Sequence, residues 1–172
     1  MKFIGEYLPQ TVGATTIQKA DPSVLYSGTR GCWTISDFGL TSSLIGYDAL
    51  TDYARGTGGY RAPELLGKES RYSKKVDIWA LGCVTFEIVT RKKVFGSDFQ
   101  VFSLIQENSD IPIPGLNHLG KGWSFWRKTI LKMLRVRETE RPSASTLHTE
   151  FQTRWQREEA EEYISNVNVV SR

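Results

Sequence analysis

Asp37-Phe38-Gly39 is the first point in this 172-residue chain where residue types suggest chemistry, directly after the apolar run Trp33-Thr34-Ile35-Ser36. A carboxylate held at a strand end and followed by a flexible glycine can be aimed at a divalent cation. Mg²⁺ suits such a group, because it is a hard ion that takes carboxylate and phosphate oxygens. The same tripeptide also fits an ordinary turn, so its weight depends on its surroundings. Asp77 is a second unusual carboxylate, set in an otherwise apolar stretch where a charge without partners would be expensive. The chain has two cysteines, Cys32 and Cys83, and two histidines, with no Cys/His cluster at metal-ligand spacing.

These residues must be held by elements that the pattern makes legible. Residues 23–26 and 32–36 suit the strands of a hairpin, with turn chemistry in Ser27-Gly28-Thr29-Arg30-Gly31 between them. Residues 40–61 are rich in Ser, Thr, Gly and Tyr without a period, which predicts a long surface loop; loops of that length are usually functional. Ser73 then suits the N-cap of a helix running to about Thr90. Its apolar residues Val76, Ile78, Trp79, Leu81, Val84, Phe86, Ile88 and Val89 cover every face, the pattern of a helix buried all round. A shorter helix after Ser97 has Val101, Leu104 and Ile105 on one side, and Ile111-Pro112-Ile113-Pro114-Gly115 cannot continue it. Trp123, Trp126, Ile130, Met133 and Leu134 recur at helical spacing. The last helix begins near Pro142-Ser143, places Leu147, Phe151 and Trp155 four apart, and runs into a charged extension over 157–162. Trp79, Trp123, Trp126 and Trp155 are expected in the core.

Composition bounds the function classes. With 40% hydrophobic and 24% charged residues the chain is expected to fold as a globular domain with a real core. Its formal charge of +3 is scattered, and Arg91-Lys92-Lys93 suits a solvated helix end better than a nucleic-acid surface. The most apolar stretch, 79–89, contains Glu87 and is too short to span a bilayer, so no membrane partner is expected. The first residues do not form a secretory signal, and the cysteine usage suits a reducing, intracellular location in cytoplasm or nucleus.

Further motifs stand in a fixed order after Asp37. Gly56-Thr57-Gly58-Gly59-Tyr60-Arg61 leads into Ala62-Pro63-Glu64; Asp77-Ile78-Trp79-Ala80-Leu81-Gly82-Cys83 follows, and Arg141-Pro142 opens the final helix. Over about residues 23–152 the chain thereby resembles the eukaryotic protein kinase family of serine/threonine type, from its metal-binding Asp-Phe-Gly onward. The resemblance implies a mainly α fold: the C-lobe of a kinase, a helical bundle around a buried central helix, with a short hairpin before the activation segment and the N-lobe absent. It implies three regions: 1–22 as an N-terminal segment resembling a degenerate catalytic loop, 23–155 as the C-lobe, and 156–172 as a charged helical tail.

The resemblance also assigns roles. Asp37, with Phe38 and Gly39, would hold the Mg²⁺ that bridges the phosphates of ATP. Residues 40–53 would be the activation segment, with Thr41, Ser42, Ser43, Thr51 and Tyr53 as candidate phosphorylation sites; a solvated polar loop explains the same hydroxyls. Thr57 would lie beside the substrate hydroxyl, and Gly58, Gly59 and Tyr60 would form the shelf on which a protein substrate rests. Glu64 and Arg141 would be the family's buried carboxylate–guanidinium pair, for which the forked guanidinium is suited. Asp77 would accept hydrogen bonds from the catalytic-loop backbone, as a support and not a catalyst.

Other family features are not in these residues. There is no Gly-x-Gly-x-x-Gly and no segment with the ATP-anchoring lysine far enough ahead of Asp37. Counting back from Ser23-Val24-Leu25-Tyr26 puts Gln18 at the catalytic Asp position and Ser23 at the metal-binding Asn. The expected function is therefore that of a serine/threonine kinase fragment, inactive alone. The alternatives are a non-catalytic, pseudokinase-like scaffold and an ordinary active kinase of which this sequence is an incomplete part.

Overall fold

The computed structural model describes residues 24–27, 29, 31–35, 49–51, 56–67, 70–107, 116 and 120–170. The chain divides into two compact units, Met1–Ser43 and Leu44–Arg172. In the first unit, strands β1 (Val24–Ser27) and β2 (Cys32–Ile35) pair antiparallel, with Val24 opposite Ile35 and Ser27 opposite Cys32. Both are rich in β-branched and aromatic residues, which suit a pleated strand. Gly31, just before β2, takes a φ of 60°, a left-handed conformation that glycine reaches without strain.

The second unit is mainly helical. Residues 40–61 are not loop throughout: a three-residue strand β3 (Ala49–Thr51) pairs antiparallel with β4 (Ser70–Tyr72), Leu50 opposite Arg71. A pairing this short leaves no alternation to read, and it closes only because the chain returns twenty residues later. A 3₁₀ turn at Pro63–Leu66 lies between the two strands. Among the described residues four α-helices follow: α1 (Lys75–Thr90), α2 (Asp98–Glu107), α3 (Ser124–Met133) and α4 (Ala144–Val170).

Helix α1 starts two residues after Ser73, whose Oγ accepts the Lys75 N–H at 3.2 Å and donates to Glu138 Oε2 at 3.0 Å. It ends where Arg91 turns left-handed at φ 60° and donates its N–H to Glu87 O at 2.8 Å. Ile78, Trp79, Cys83, Val84 and Phe86 are buried, and α1 packs on α3 closely enough that a Cβ on Gly82 would stand 2.9 Å from Met133 and Leu134. The helix is not buried all round: Asp77 and Leu81, one turn apart, are exposed, Leu81 by 44%. Burial lifts the Cys83 thiol well above its ordinary range, which keeps it inert.

Helix α2 packs against the Pro63–Leu66 turn and buries Val101 completely. Ile105 does not share that side; it lies with Phe99 and Phe102 on the outer face. Ile130, Met133 and Leu134 close the core from α3, and Leu147 from α4. Ser143 caps α4, accepting the Thr146 N–H at 3.0 Å. Phe125, Trp126 and Phe151 form an aromatic cluster with centroids 5.6–5.9 Å apart. Trp155, one turn further along α4, lies past the end of that cluster and is exposed instead of joining the core. Among the described residues, no helix is long and apolar enough to cross a membrane.

Candidate functional site

The segment from Gly56 to Arg61 forms a ledge whose shape follows from its glycines. Gly56 and Gly59 have φ of 84° and 83°, a region in which L side chains are strained. At Gly59 the backbone approach adds a second reason: a Cβ would lie 2.8 Å from the Phe95 carbonyl oxygen. Thr57 O accepts the Tyr60 N–H at 3.2 Å, closing a turn that leaves Thr57 and Gly58 exposed and buries Gly59 and Tyr60. A buried tyrosine needs a partner for its hydroxyl. Tyr60 donates to Glu87 Oε2 at 2.5 Å, and the Lys93 ammonium stands 4.9 Å from its ring centroid.

The ledge is also tied at its far end. Arg61 Nε donates to Gly56 O at 2.9 Å and Arg61 Nη1 to Asp98 Oδ2 at 2.6 Å, while Asp98 Oδ1 accepts the Gly59 N–H at 2.8 Å. Neither Asp98 nor Glu87 follows from any motif. Their spacing from the ledge, 39 and 27 residues, is set only by the fold.

Directly after the ledge, Glu64 meets Arg141 across 77 residues, Nη1 to Oε1 at 2.7 Å and Nη2 to Oε2 at 2.8 Å. The Arg141 side chain is fully buried, and all five of its N–H donors are used: the others reach the carbonyls of Arg135 (2.7 Å), Lys75 (3.0 Å) and Val136 (3.0 Å). Lys75 Nζ in turn donates to the Arg141 carbonyl. The guanidinium lies 5.0 Å from the Trp79 ring centroid, and that ring stacks on Phe95 at 5.5 Å and 4°. Glu64, α1, the start of α4 and Phe95 under the ledge thus meet at one arginine and one tryptophan.

Asp77 lies on the exposed side of α1, and no donor among the described residues reaches its carboxylate. Partial desolvation nonetheless raises its pKa above the ordinary 3.8. A raised folded pKa means that the native state holds the proton longer than the unfolded chain, so this site favours folding below 3.8 and opposes it above the raised value. Asp77→Asn is therefore expected to raise the urea midpoint at neutral pH and leave it unchanged at the acid end. Urea titrations at several pH values on both proteins check this; a midpoint lowered at neutral pH would contradict it.

Asp37, Phe38, Gly39 and Gln18 lie outside the described residues, as do the hydroxyls of Thr41, Ser42, Ser43 and Tyr53. Thr51 is in β3. Among the described residues, no group of three or more His, Cys, Asp or Glu side chains could hold a metal ion.

A family model described as the protein kinase domain matches residues 22–152, three quarters of the chain. The chain belongs to the protein kinase family. G2-specific protein kinase nim-1 of Neurospora crassa is 32% identical over 139 residues, covering 78% of this chain and 15% of that protein. Cyclin-dependent kinase-like 4 of Mus musculus is 49% identical over 100 residues, covering 57% of this chain and 29% of the relative. Mitogen-activated protein kinase 6 of Oryza sativa subsp. japonica is 42% identical over 88 residues, half of this chain and 23% of that protein. The chain thus spans less than a third of the length of these relatives. As a family, protein kinases act on proteins with ATP and Mg²⁺, and the helical second unit is consistent with the C-lobe of such a domain.

Proposed function

We propose that these residues form the peptide-docking helical half of a serine/threonine-type protein kinase domain, and that the 172-residue chain alone transfers no phosphate. The observation that carries this is the ledge: Thr57 and Gly58 are open to solvent, while Gly59 and Tyr60 are fixed beneath them. An extended peptide can lie along such a backbone, with its hydroxyl beside Thr57. Glu64 and Arg141 hold the ledge's exit to the helical body, and Asp77 is a support and not a catalyst.

Asp37, flanked by Phe38 and Gly39, is the residue assigned to Mg²⁺, which when bound with ATP would neutralise charge on the phosphates. Gln18 stands where a carboxylate is needed. A neutral amide cannot take the substrate hydroxyl's proton. The glycine-rich loop and anchoring lysine are likewise absent from these residues.

Incubation of the purified chain with Mg²⁺-ATP and a mixed Ser/Thr peptide library is expected to give no more transfer than the Asp37→Ala variant gives. Transfer by the wild type that Asp37→Ala abolishes would overturn the proposal of inactivity.

One observation favours a second reading, a non-catalytic scaffold. Phe99, Phe102 and Ile105 form an apolar row along α2, exposed by 76, 43 and 37%. Such rows suit a protein partner. The intact mass of the native protein in its source cells separates the two. A species well above 19.5 kDa supports a complete kinase domain, and one at 19.5 kDa supports the scaffold.

A further inference from the structure

The ledge carries one contact set that the docking role leaves unexplained. A single carboxylate, Asp98 at the start of α2, binds it at two points: Gly59 N–H at 2.8 Å and Arg61 Nη1 at 2.6 Å. Arg61 Nε returns to Gly56 O at 2.9 Å, so the bonds close a ring through Gly56, Arg61, Asp98 and Gly59. The two charged side chains are only 21% and 28% exposed, which limits the competition from water. The Asp98 carboxylate also lies 3.7–3.9 Å from where a Cβ on Gly58 would stand, so it backs the exposed part of the ledge.

Gly56, Gly58 and Gly59 have little conformational preference, and ordering them costs entropy. The Thr57 O–Tyr60 N–H bond and the Tyr60 hydroxyl hold the turn and its end, while the Gly59 N–H itself is held by Asp98. The backbone against which a peptide would lie is held from below by Asp98. Because Asp98 is the first residue of α2, the rigid helix becomes the reference for the loop.

We infer that Asp98 is a positioning residue for peptide docking: it sets the Gly58–Gly59 backbone in the shape that an extended Ser/Thr-containing peptide meets. This rests on the docking function proposed above. The Gly59 bond needs an acceptor oxygen, which asparagine also offers and alanine does not.

The test measures binding of a positional-scanning peptide library with a fixed central Ser or Thr to the full 172-residue chain, together with hydrogen exchange at the Gly59 amide. Asp98→Ala removes both the Gly59 bond and the Arg61 contact, and is expected to weaken the best wild-type peptide by about tenfold or more and to speed Gly59 exchange by a similar factor. Asp98→Asn keeps one oxygen for the Gly59 N–H but has an NH₂ in place of the oxygen that accepts from Arg61, so it should lose clearly less than Asp98→Ala, about threefold against wild type. Gln100→Ala is the control. Gln100 Oε1 accepts the Gly96 N–H at 2.6 Å at the same end of α2, so its loss disturbs the helix start but not the ledge. Unchanged affinity in Asp98→Ala, or equal losses in all three variants, would overturn the positioning role while leaving docking intact. If the wild type binds no library peptide, the docking function itself fails, and the positioning role with it.

Discussion

Arg141→Ala is expected to cost the helical unit about 3–5 kcal/mol, read as a lowered midpoint in urea titration. The magnitude comes from what the substitution strands. Glu64 is only 14% exposed and would keep a buried carboxylate without its two charge-assisted bonds. The carbonyls of Arg135, Lys75 and Val136 would lose the donors that now reach them at 2.7–3.0 Å. Domains of this size have a net stability of roughly 5–15 kcal/mol, so one side chain is a large fraction of the total. Arg141→Lys should recover little of it, because a single ammonium cannot serve a bidentate carboxylate and three carbonyls in different directions. Replacing both Glu64 and Arg141 by apolar residues should cost less than Arg141→Ala alone, since no charge is then left buried. A midpoint for Arg141→Ala close to wild type, with an unchanged slope, would show that the pair is ornamental.

Glu64 and Arg141 were legible in the sequence because each sits in a short motif, although 77 residues separate them. The place of the ledge was legible for the same reason, since Gly56 to Arg61 stands directly before Ala62-Pro63-Glu64, but its left-handed glycines were not. Asp98, Glu87 and Lys93 were not, because a partner fixed only by tertiary packing carries no local signal. Exposure is less legible in the sequence than element type. Val101 and Ile105 differ by about 40° around the helix, and α2 packs against the Pro63–Leu66 turn. That packing buries Val101 and leaves Ile105 at 37% exposure. On α1 the apolar residues do occur on every face, yet Leu81 stands exposed beside Asp77; hydrophobicity all round shows what a helix can bury, not what covers it. On α4 the four-residue spacing of Leu147, Phe151 and Trp155 is real, but burial fades along it: Leu147 is 2% exposed, Phe151 is half-buried and Trp155 is 43% exposed.

The second large effect is expected at Trp79. Its side chain is completely buried, stacked on Phe95 at 5.5 Å and covered by the Arg141 guanidinium at 5.0 Å. Trp79→Ala should cost about 3–5 kcal/mol through lost burial and the cavity left behind. Trp79→Phe should cost less than half of that, for two reasons. The phenyl ring can keep the stack on Phe95, and it removes an indole Nε1 that is buried with no hydrogen-bond partner among the described residues, an arrangement that costs about 1–3 kcal/mol. Far-UV circular dichroism in urea measures both variants without relying on tryptophan emission. Equal losses for Ala and Phe would mean that the indole nitrogen has a partner after all. Trp79→Ala and Arg141→Ala should also combine to less than their sum, because the two side chains touch and each removes part of the other's contact. The loss should reach the ledge as well. Phe95 contributes its ring to the Trp79 stack and its carbonyl oxygen to the wall that only a glycine at 59 can approach. A core variant that lets Phe95 shift therefore loosens the surface on which a peptide would dock, and Gly59 exchange should quicken in Trp79→Ala but not in Trp79→Phe.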